Sequence, residues 1–263
     1  MIRVAVTGVA GRMGKLIVKN VVEDNEMQLV QAFDIVEIGK DAGEIAGVGK
    51  VGVKIEDAKN LESKLDADVL IDFTNADAAV KNIKIAANKK VKLVVGTTGF
   101  NEEQKKLIEE YCKKVPAVIT PNFSIGVNVF WKLLEFVTPY LANYDIEIVE
   151  AHHRFKKDAP SGTALKAAET IKSKLNELGY DRKFVFCREG LSERGDEIGI
   201  FAVRGGDIVG EHTVYFIGFG ERVEITHRAT SRQAFASGAI KAAKWISKVE
   251  KPGIYGMQDV LGF

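Results

Sequence analysis

The chain has 263 residues, of which 46% are hydrophobic and 28% are charged, and its formal net charge is +1. This size and composition allow one or two domains whose cores need no disulfide or structural metal. The balanced charge gives no electrostatic reason to expect binding to nucleic acid or to a membrane surface. The two cysteines, Cys112 and Cys187, are distant and lack a CxxC pattern. We therefore expect reduced thiols and no zinc site.

The start of the chain, MIRVAVTG, lacks the pattern of a signal peptide. The longest uncharged stretch, residues 115–131, contains two prolines and several polar residues, so it is a poor membrane span. We expect a cytoplasmic protein.

The first half of the chain alternates strand-like and helix-like segments. Ile2–Thr7 is β-branched and apolar, residues 11–24 have helical character, and a second strand ends at Asp34. The same alternation continues to about Pro121, after a glycine-rich loop that follows Asp34. Strands that alternate with helices predict a parallel sheet covered on both faces, with right-handed crossovers.

The first strand-to-helix turn contains Gly8, Gly11 and Gly14 in the spacing GxxGxxG, and Asp34 follows Gly14 by 20 residues. Glycines let the backbone approach a pyrophosphate, the helix N-terminus attracts its charge, and an acid after the second strand binds the ribose hydroxyls. This pattern predicts a Rossmann-like dinucleotide-binding domain. The alternative is a tight structural turn that binds nothing.

The residues around Asp34 bear on the choice of dinucleotide. A carboxylate there repels a ribose phosphate, and Ile35 rather than an arginine follows it. We therefore expect NADH to be used at least as well as NADPH. Arg12 and Lys40 leave the use of NADPH open.

The segment Gly96–Gly99, GTTG, ends another predicted strand of the same half. Ligands bind outside the carboxyl ends of such strands, so backbone groups of Gly96 and Thr98 are placed to face a nicotinamide. The alternative is a structural turn in which Thr97 or Thr98 lies near a helix cap.

The pattern changes near Phe123. A helix-like segment, a strand, and the long amphipathic helix of residues 161–179 are followed by several strand-like segments with no helix between them. Consecutive strands predict a second, C-terminal α+β domain with a mixed or antiparallel sheet. A final helix precedes a short tail.

Residues 150–164 carry the densest chemistry of the chain. They combine two adjacent histidines and three cations with a helix start, in the sequence EAHHRFKKDAPSGTA. Cations beside a helix N-terminus form a receptor for an anionic substrate, and a histidine or a lysine can deliver a proton. The alternative is a solvated surface loop. Adjacent strand residues point to opposite faces, so the two histidines do not predict a metal site. His212 and His227 are interpreted as structural.

With these motifs the chain resembles the 4-hydroxy-tetrahydrodipicolinate reductase (dihydrodipicolinate reductase) family. The matching segments are VAVTGVAGRMG, VLIDFT, VGTTGF, PNFSIGVNV, EIVEAHHRFKKDAPSGTAL and RGGDIVGEHTVYFIGFGERVEITHRATSRQAFASGA, and together they extend along the whole chain. The segment from His152 to Ala164 is specific to that family.

The resemblance implies the reduction of a cyclic dicarboxylate with NADH or NADPH, in the diaminopimelate route to lysine. It implies a dinucleotide-binding domain of residues 1–123 completed by a C-terminal helix within 233–263. Residues 124–232 then form the substrate-binding domain, which also builds a homotetramer through its sheet.

The resemblance also assigns roles by position. His152 matches the proposed general acid, and Lys156 matches the catalytic lysine and proton donor. The groups that hold the substrate are His153, Lys156, Ser161, Gly162 and Thr163. The positions that match the cofactor site are Gly8, Ala10, Gly11, Arg12, Met13, Gly14, Asp34, Gly96, Thr98, Pro121, Asn122 and Phe123. No metal is implied.

Three other interpretations remain open from the sequence. Another two-domain reductase, such as a homoserine-type dehydrogenase, has a similar plan, and a semialdehyde dehydrogenase would need an active-site cysteine. A dinucleotide-sensing regulator would bind the cofactor without turnover. A purely structural module would not need the glycine loop.

Overall fold

The computed structural model describes all 263 residues, and the chain divides into two compact units. The first unit comprises Met1–Ile125 and Gln233–Phe263, and the second comprises Gly126–Arg232.

The strands and helices alternate along most of the chain. The strands are β1 (Ile2–Thr7), β2 (Met27–Asp34), β3 (Ile55–Asp57), β4 (Val69–Asp72), β5 (Lys92–Val95), β6 (Pro116–Ile119), β7 (Asp145–His152), β8 (Lys183–Val185), β9 (Glu197–Arg204), β10 (Gly210–Ile217), β11 (Arg222–Ala229) and β12 (Gly253–Tyr255). The helices are α1 (Arg12–Glu23), α2 (Ala42–Ala46), α3 (Leu61–Lys64), α4 (Ala76–Lys89), α5 (Glu102–Cys112), α6 (Ile125–Val137), α7 (Gly162–Glu177), α8 (Gln233–Ile246) and α9 (Met257–Leu261).

The first unit is built on a parallel sheet with the strand order β12-β6-β5-β4-β1-β2-β3. Successive residues of a strand face opposite sides, so Val4 of β1 packs in one core while Ala5 packs in the other. Helices α1 and α8 cover the first side, and α4 and α5 cover the second. The predicted Rossmann-like sheet, covered on both faces, is confirmed.

The second unit contains a mixed sheet with the order β11-β10-β7-β9-β8. Strand β10 is antiparallel to β7 and β11, whereas β9 is parallel to β7 and β8. Helices α6 and α7 pack on one face, where Leu134 and Ala168 meet Ile146, Ile148 and Val214. The predicted α+β class with a mixed sheet is confirmed.

Two segments differ from the sequence-based expectation. The glycine-rich loop after Asp34 contains the short helix α2, whose N-cap Asp41 is buried and accepts hydrogen bonds from four backbone N–H groups. The short tail contains β12, which pairs with β6 and extends the sheet by one strand. Both elements are too short for a periodic pattern, and the partner of β12 is distant in sequence.

Candidate active site

The turn between β1 and α1 contains three glycines, and two of them, Gly8 and Gly14, admit no side chain. Gly8 has a φ of +76°, and a Cβ there would lie 2.7 Å from the carbonyl oxygen of Phe73. A Cβ at Gly14 would lie 2.0 Å from the carbonyl oxygen of Gly8. Gly11 is the N-cap of α1, and no side chain caps that helix. The uncapped N–H groups and the helix dipole fit a pyrophosphate.

Asp34 lies at the end of β2 beside this turn. Its carboxylate accepts hydrogen bonds from the backbone N–H groups of Ala10 (2.9 Å), Ile35 (2.7 Å) and Val36 (3.3 Å). A groove of about 390 Å³ adjoins it, lined in part by Gly8 and Gly11. Three backbone contacts fix the carboxylate in place, and a carboxylate has further acceptor capacity for ribose hydroxyls.

Two other predicted residues of this loop lie at the start of α1. The side chain of Arg12 is exposed, and that of Met13 is half-buried against the core of the first unit. Neither makes a hydrogen bond to the glycine turn through its side chain.

The segments after β5 and β6 lie at the same edge of the sheet as the glycine turn, because all these strands are parallel. Gly96 packs so closely that a Cβ there would lie 2.1 Å from the ring of Phe73. Thr98 is exposed. Pro121 and Asn122 follow β6, and the buried ring of Phe123 lies 5.6 Å from that of Phe73. The predicted cofactor residues are therefore brought together at one edge.

Neither Thr97 nor Thr98 caps the helix that follows them. Asn101 is the N-cap of α5, and it forms a capping box with Gln104. The hydroxyl of Thr97 is instead buried and donates to Asp72 at 2.9 Å. The alternative in which one of these threonines caps the helix is therefore not what the structure shows, because Asn101 caps α5.

The second centre is organised by Glu150, a fully buried carboxylate on β7 that sequence reasoning did not single out. Its Oε2 accepts from Nδ1 of His152 at 2.6 Å, and its Oε1 accepts from the backbone N–H of Ser161 at 2.9 Å. Arg204 donates to both oxygens, at 2.8 and 2.6 Å. These donors hold the pKa of Glu150 down to about 2 against the opposing effect of burial.

Glu150 fixes the orientation of His152. Because Nδ1 of His152 is engaged by the carboxylate, Nε2 is the ring atom that remains to present a proton. A Cβ at Gly210 would lie 3.0 Å from this Nε2, so the glycine on β10 leaves the atom space. The arrangement is that of an oriented acid–base histidine.

Lys156 and the start of α7 lie in the same unit. The ammonium of Lys156 contacts both oxygens of Asp158 at 2.8 Å. Ser161 is the N-cap of α7, and its hydroxyl accepts from the N–H of Ala164 at 3.2 Å. Gly162 and Thr163 form the first turn of that helix, where backbone N–H groups favour anions.

Three further histidines, His153, His212 and His227, have a buried Nδ1 without a hydrogen-bond partner. The hydroxyl of Ser161 and Nε2 of His212 share a hydrogen bond of 2.9 Å. Burial, with repulsion from His152 next, lowers the pKa of His212 to about 3. His212 is therefore neutral at pH 7, and its hydrogen bond to Ser161 connects β10 to the N-cap of α7.

The loop between these groups is partly solvated. Arg154, Phe155 and Lys157 are exposed, whereas Glu150 and Ser161 are buried. The solvated-loop interpretation thus describes the tip of this segment but not its two ends.

The two cysteines lack the features of catalytic nucleophiles. Cys112 is buried, and burial raises the pKa of its thiol to about 12. Cys187 is exposed, and the neighbouring Glu189 raises the pKa of its thiol as well. Neither thiol has a base that would generate a thiolate, which disfavours the semialdehyde dehydrogenase alternative.

The structure contains no group of three or more His, Cys, Asp or Glu side chains that could hold a metal ion. None of its helices combines the length and hydrophobicity that a membrane span needs.

Comparison with known proteins assigns both units. The family profile described as "Dihydrodipicolinate reductase, N-terminus" matches residues 2–123, and "Dihydrodipicolinate reductase, C-terminus" matches residues 126–261. The chain belongs to the dihydrodipicolinate reductase family. It is accordingly an oxidoreductase.

Similar family members span the full chain. The 4-hydroxy-tetrahydrodipicolinate reductase of Archaeoglobus fulgidus is 60% identical over 98% of this chain and 99% of its own length. That of Methanosarcina mazei is 57% identical over the whole of both chains.

Solved structures agree with this membership. A dipicolinate-bound dihydrodipicolinate reductase from Paenisporosarcina sp. TG-14 is 28% identical, with a TM-score of 0.77 over 98% of both chains. An amine dehydrogenase from Mycobacterium smegmatis shares the fold at 16% identity, with a TM-score of 0.60 over 97% of this chain and 94% of its own.

Proposed function

We propose that this chain reduces 4-hydroxy-tetrahydrodipicolinate to tetrahydrodipicolinate with a reduced nicotinamide dinucleotide, in the diaminopimelate route of lysine biosynthesis. The observation that carries the proposal is the end-to-end match to reductases of that name, at up to 60% identity. The glycine turn with Asp34 provides a site for the dinucleotide. The second centre, with His152, Lys156 and the start of α7, provides a site for an anionic substrate.

The first unit holds the dinucleotide in this proposal. The N–H groups at the start of α1 bind the pyrophosphate, and Asp34 binds the ribose of the adenosine half. The residues after β5 and β6, including Gly96 and Phe123, line the nicotinamide. When bound, this cofactor supplies the hydride for the reduction.

NADH is the preferred cofactor in this proposal. The Asp34 carboxylate is held by three backbone N–H groups, so it cannot turn away from a 2′-phosphate. The next two residues, Ile35 and Val36, are exposed and apolar and offer that phosphate no cation. A phosphate would therefore meet a fixed negative charge.

The second unit holds the substrate and moves the proton. A relative binds dipicolinate, a planar ring with two carboxylates. For this chain, His153, Ser161, Gly162 and Thr163 bind such carboxylates, with the N-terminal dipole of α7 behind them. The orphaned Nδ1 of His153 supports this role, because a ligand carboxylate would satisfy it.

Lys156 and His152 are the proton-donating groups of the proposal. The Lys156 ammonium is held by Asp158, so a substrate carboxylate must replace Asp158 for the lysine to engage it. The reduction takes up one hydride and one proton and releases the substrate hydroxyl as water. Nε2 of His152 is the alternative to Lys156 as the donor of that proton, with Glu150 holding the opposite side of the ring.

We also propose a cytoplasmic homotetramer that associates through the mixed sheet. Helices cover one face of this sheet, and the opposite face carries partly exposed side chains such as Phe201, Val203 and Tyr215. Apolar residues on an uncovered sheet face are typical of a subunit interface. Free thiols at Cys112 and Cys187 agree with a reducing compartment.

The function is tested by absorbance of the reduced nicotinamide. The substrate is formed in the cuvette from pyruvate and aspartate semialdehyde by the preceding synthase, with NADH and NADPH run in parallel. We expect synthase-dependent oxidation, faster with NADH. Lys156→Ala should lower kcat/KM by about 10²–10⁴-fold, the usual range for a proton donor.

Lys157→Ala is the matched control, because Lys157 is the adjacent cation and is exposed. The kcat/KM of Lys157→Ala should stay within about twofold of the wild-type value. If Lys156→Ala retained the wild-type kcat/KM, the role of Lys156 would be wrong. If a folded chain bound NADH but oxidised none, the protein would be a dinucleotide-binding regulator.

A further inference from the structure

Asp72 is a fully buried carboxylate at the carboxyl end of β4, and none of its hydrogen-bond partners is a cation. Burying a carboxylate costs free energy unless several donors satisfy it. The binding and proton-transfer roles assigned above do not explain why a carboxylate is buried at this position.

Four side chains donate to Asp72. Its Oδ2 accepts from the Thr7 hydroxyl at 2.8 Å and from the Asn82 amide at 2.7 Å. Its Oδ1 accepts from the hydroxyls of Thr74 and Thr97, both at 2.9 Å. The backbone N–H of Thr74 adds a longer contact of 3.3 Å to the same oxygen. Both carboxylate oxygens are thus fully used by neutral donors.

These donors come from separate loops of the sheet edge where the dinucleotide groove lies. Thr7 directly precedes Gly8 of the glycine turn, and Thr97 lies between Gly96 and Thr98. Thr7 and Asn82 also line the groove itself. One carboxylate therefore connects the loop proposed for the pyrophosphate with the loop proposed for the nicotinamide.

A second contact couples the loops in the same place. The hydroxyl of Thr97 accepts from the backbone N–H of Thr74 at 3.0 Å while it donates to Asp72. A hydroxyl can do both at once, so removal of this one group breaks two links. The loop after β5 would then lose its side-chain contacts with the end of β4 and keep the backbone hydrogen bond from the N–H of Gly96 to the carbonyl oxygen of Asp72 (2.9 Å).

We propose that Asp72 is a positioning residue that sets the spacing between the glycine turn and the 96–98 loop. Through Thr97 it acts on the nicotinamide half of the dinucleotide more than on the adenosine half, which is held near Asp34. The inference rests on the proposed use of a dinucleotide. It concerns binding alone, so it can be tested without the substrate.

The test compares Thr97→Val, which removes the hydroxyl at nearly constant shape, with Thr97→Ser, which retains it. Affinity for NADH is measured by fluorescence titration, and affinity for AMP, the adenosine half alone, by calorimetry. We expect Thr97→Val to raise the Kd for NADH about tenfold, the effect of losing a hydrogen bond to a charged group. In Thr97→Val the Kd for AMP should stay within about twofold of the wild-type value, and Thr97→Ser should bind NADH with the wild-type affinity.

Asp72→Asn provides the second variant. Like Thr97→Val, it should weaken the binding of NADH more than that of AMP. If this variant does not fold, the Thr97 pair still decides the question. Unchanged NADH affinity in Thr97→Val would overturn the proposal. Equal weakening of NADH and AMP would also overturn it, because that result indicates a general structural role. If the wild-type chain bound neither ligand, the proposed function itself would fail.

Discussion

In the proposed function, the choice between NADH and NADPH depends on Asp34. Its carboxylate is fixed by backbone N–H groups, including that of Ala10 in the glycine turn. A fixed charge discriminates more strongly than a mobile one, because it cannot move away from an approaching phosphate.

Replacement of Asp34 by serine should change this preference. We expect Asp34→Ser to raise the KM for NADH about tenfold, through loss of the ribose contacts, and to lower that for NADPH by a similar factor. Steady-state kinetics with both cofactors measure the change. Glu62→Gln, which removes an exposed carboxylate on α3, controls for net charge and should alter neither KM. An unchanged ratio of the two KM values in Asp34→Ser would show that another group selects the cofactor.

His212 makes stability depend on pH. Its pKa is about 3 in the folded chain, against 6.5 in the unfolded chain, mainly because it is buried. Below pH 6.5 the unfolded state binds a proton that the folded state does not, so stability is lost as the pH falls from 6.5 towards 3. Glu150, with a folded pKa of about 2, acts only at lower pH.

Urea unfolding at pH 7 and pH 5 measures the contribution of His212. We expect the wild type to lose about 2 kcal/mol more stability over this interval than His212→Asn, from 1.36 kcal/mol per pKa unit. Equal losses in the two proteins would show that His212 is protonated, or exposed, in the folded state.

At the level of elements, the proposed binding groups lie on two turns at helix starts, and these turns tolerate side chains differently. A Cβ at Gly14 would lie 2.0 Å from the carbonyl oxygen of Gly8, whereas a Cβ at Gly162 would meet no atom within 4 Å. Gly14 is thus required for close packing of α1 on β1, while Gly162 leaves open space at the start of α7.

Thermal unfolding distinguishes the two glycines. Gly14→Ala should lower the Tm by about 5 °C or more, because its methyl group would overlap backbone atoms that cannot move without strain. Gly162→Ala, the matched control, should stay within about 2 °C of the wild type. A Tm for Gly14→Ala equal to that of the control would mean that the turn is looser than its geometry indicates.

The elements that could be predicted from sequence are those with a local pattern. The strand, glycine turn, helix and acid from Ile2 to Asp34 form one contiguous signal, and the parallel arrangement followed from it. The roles of Glu150 and Asp72 could not be predicted, because their partners Arg204 and Thr7 lie 54 and 65 residues away. A buried acid at the end of an apolar strand was the only signal available.

On the scale of the whole molecule, the mixed sheet has one face without a helix. Tyr215 lies near the middle of that face, on β10 between β7 and β11. A charge placed there should oppose burial against a second copy of the chain.

Light scattering coupled to gel filtration tests the assembly. We expect the wild type to have four times the monomer mass of 28.8 kDa, and Tyr215→Lys to dissociate into smaller species. Tyr140→Lys is the control, because this tyrosine is exposed in the other layer of the unit, after α6. A wild-type monomer, or a tetramer that survives Tyr215→Lys, would exclude this face as the interface.

In the proposed function, the chain transfers hydride from a nicotinamide to a cyclic dicarboxylate. The most direct test uses NADH deuterated at C4 in the position transferred, with the substrate formed by the synthase, and mass spectrometry of the product. We expect tetrahydrodipicolinate that carries one deuterium, formed only when this chain is present. Unlabelled product, or NADH oxidation that proceeds equally without the synthase, would contradict it.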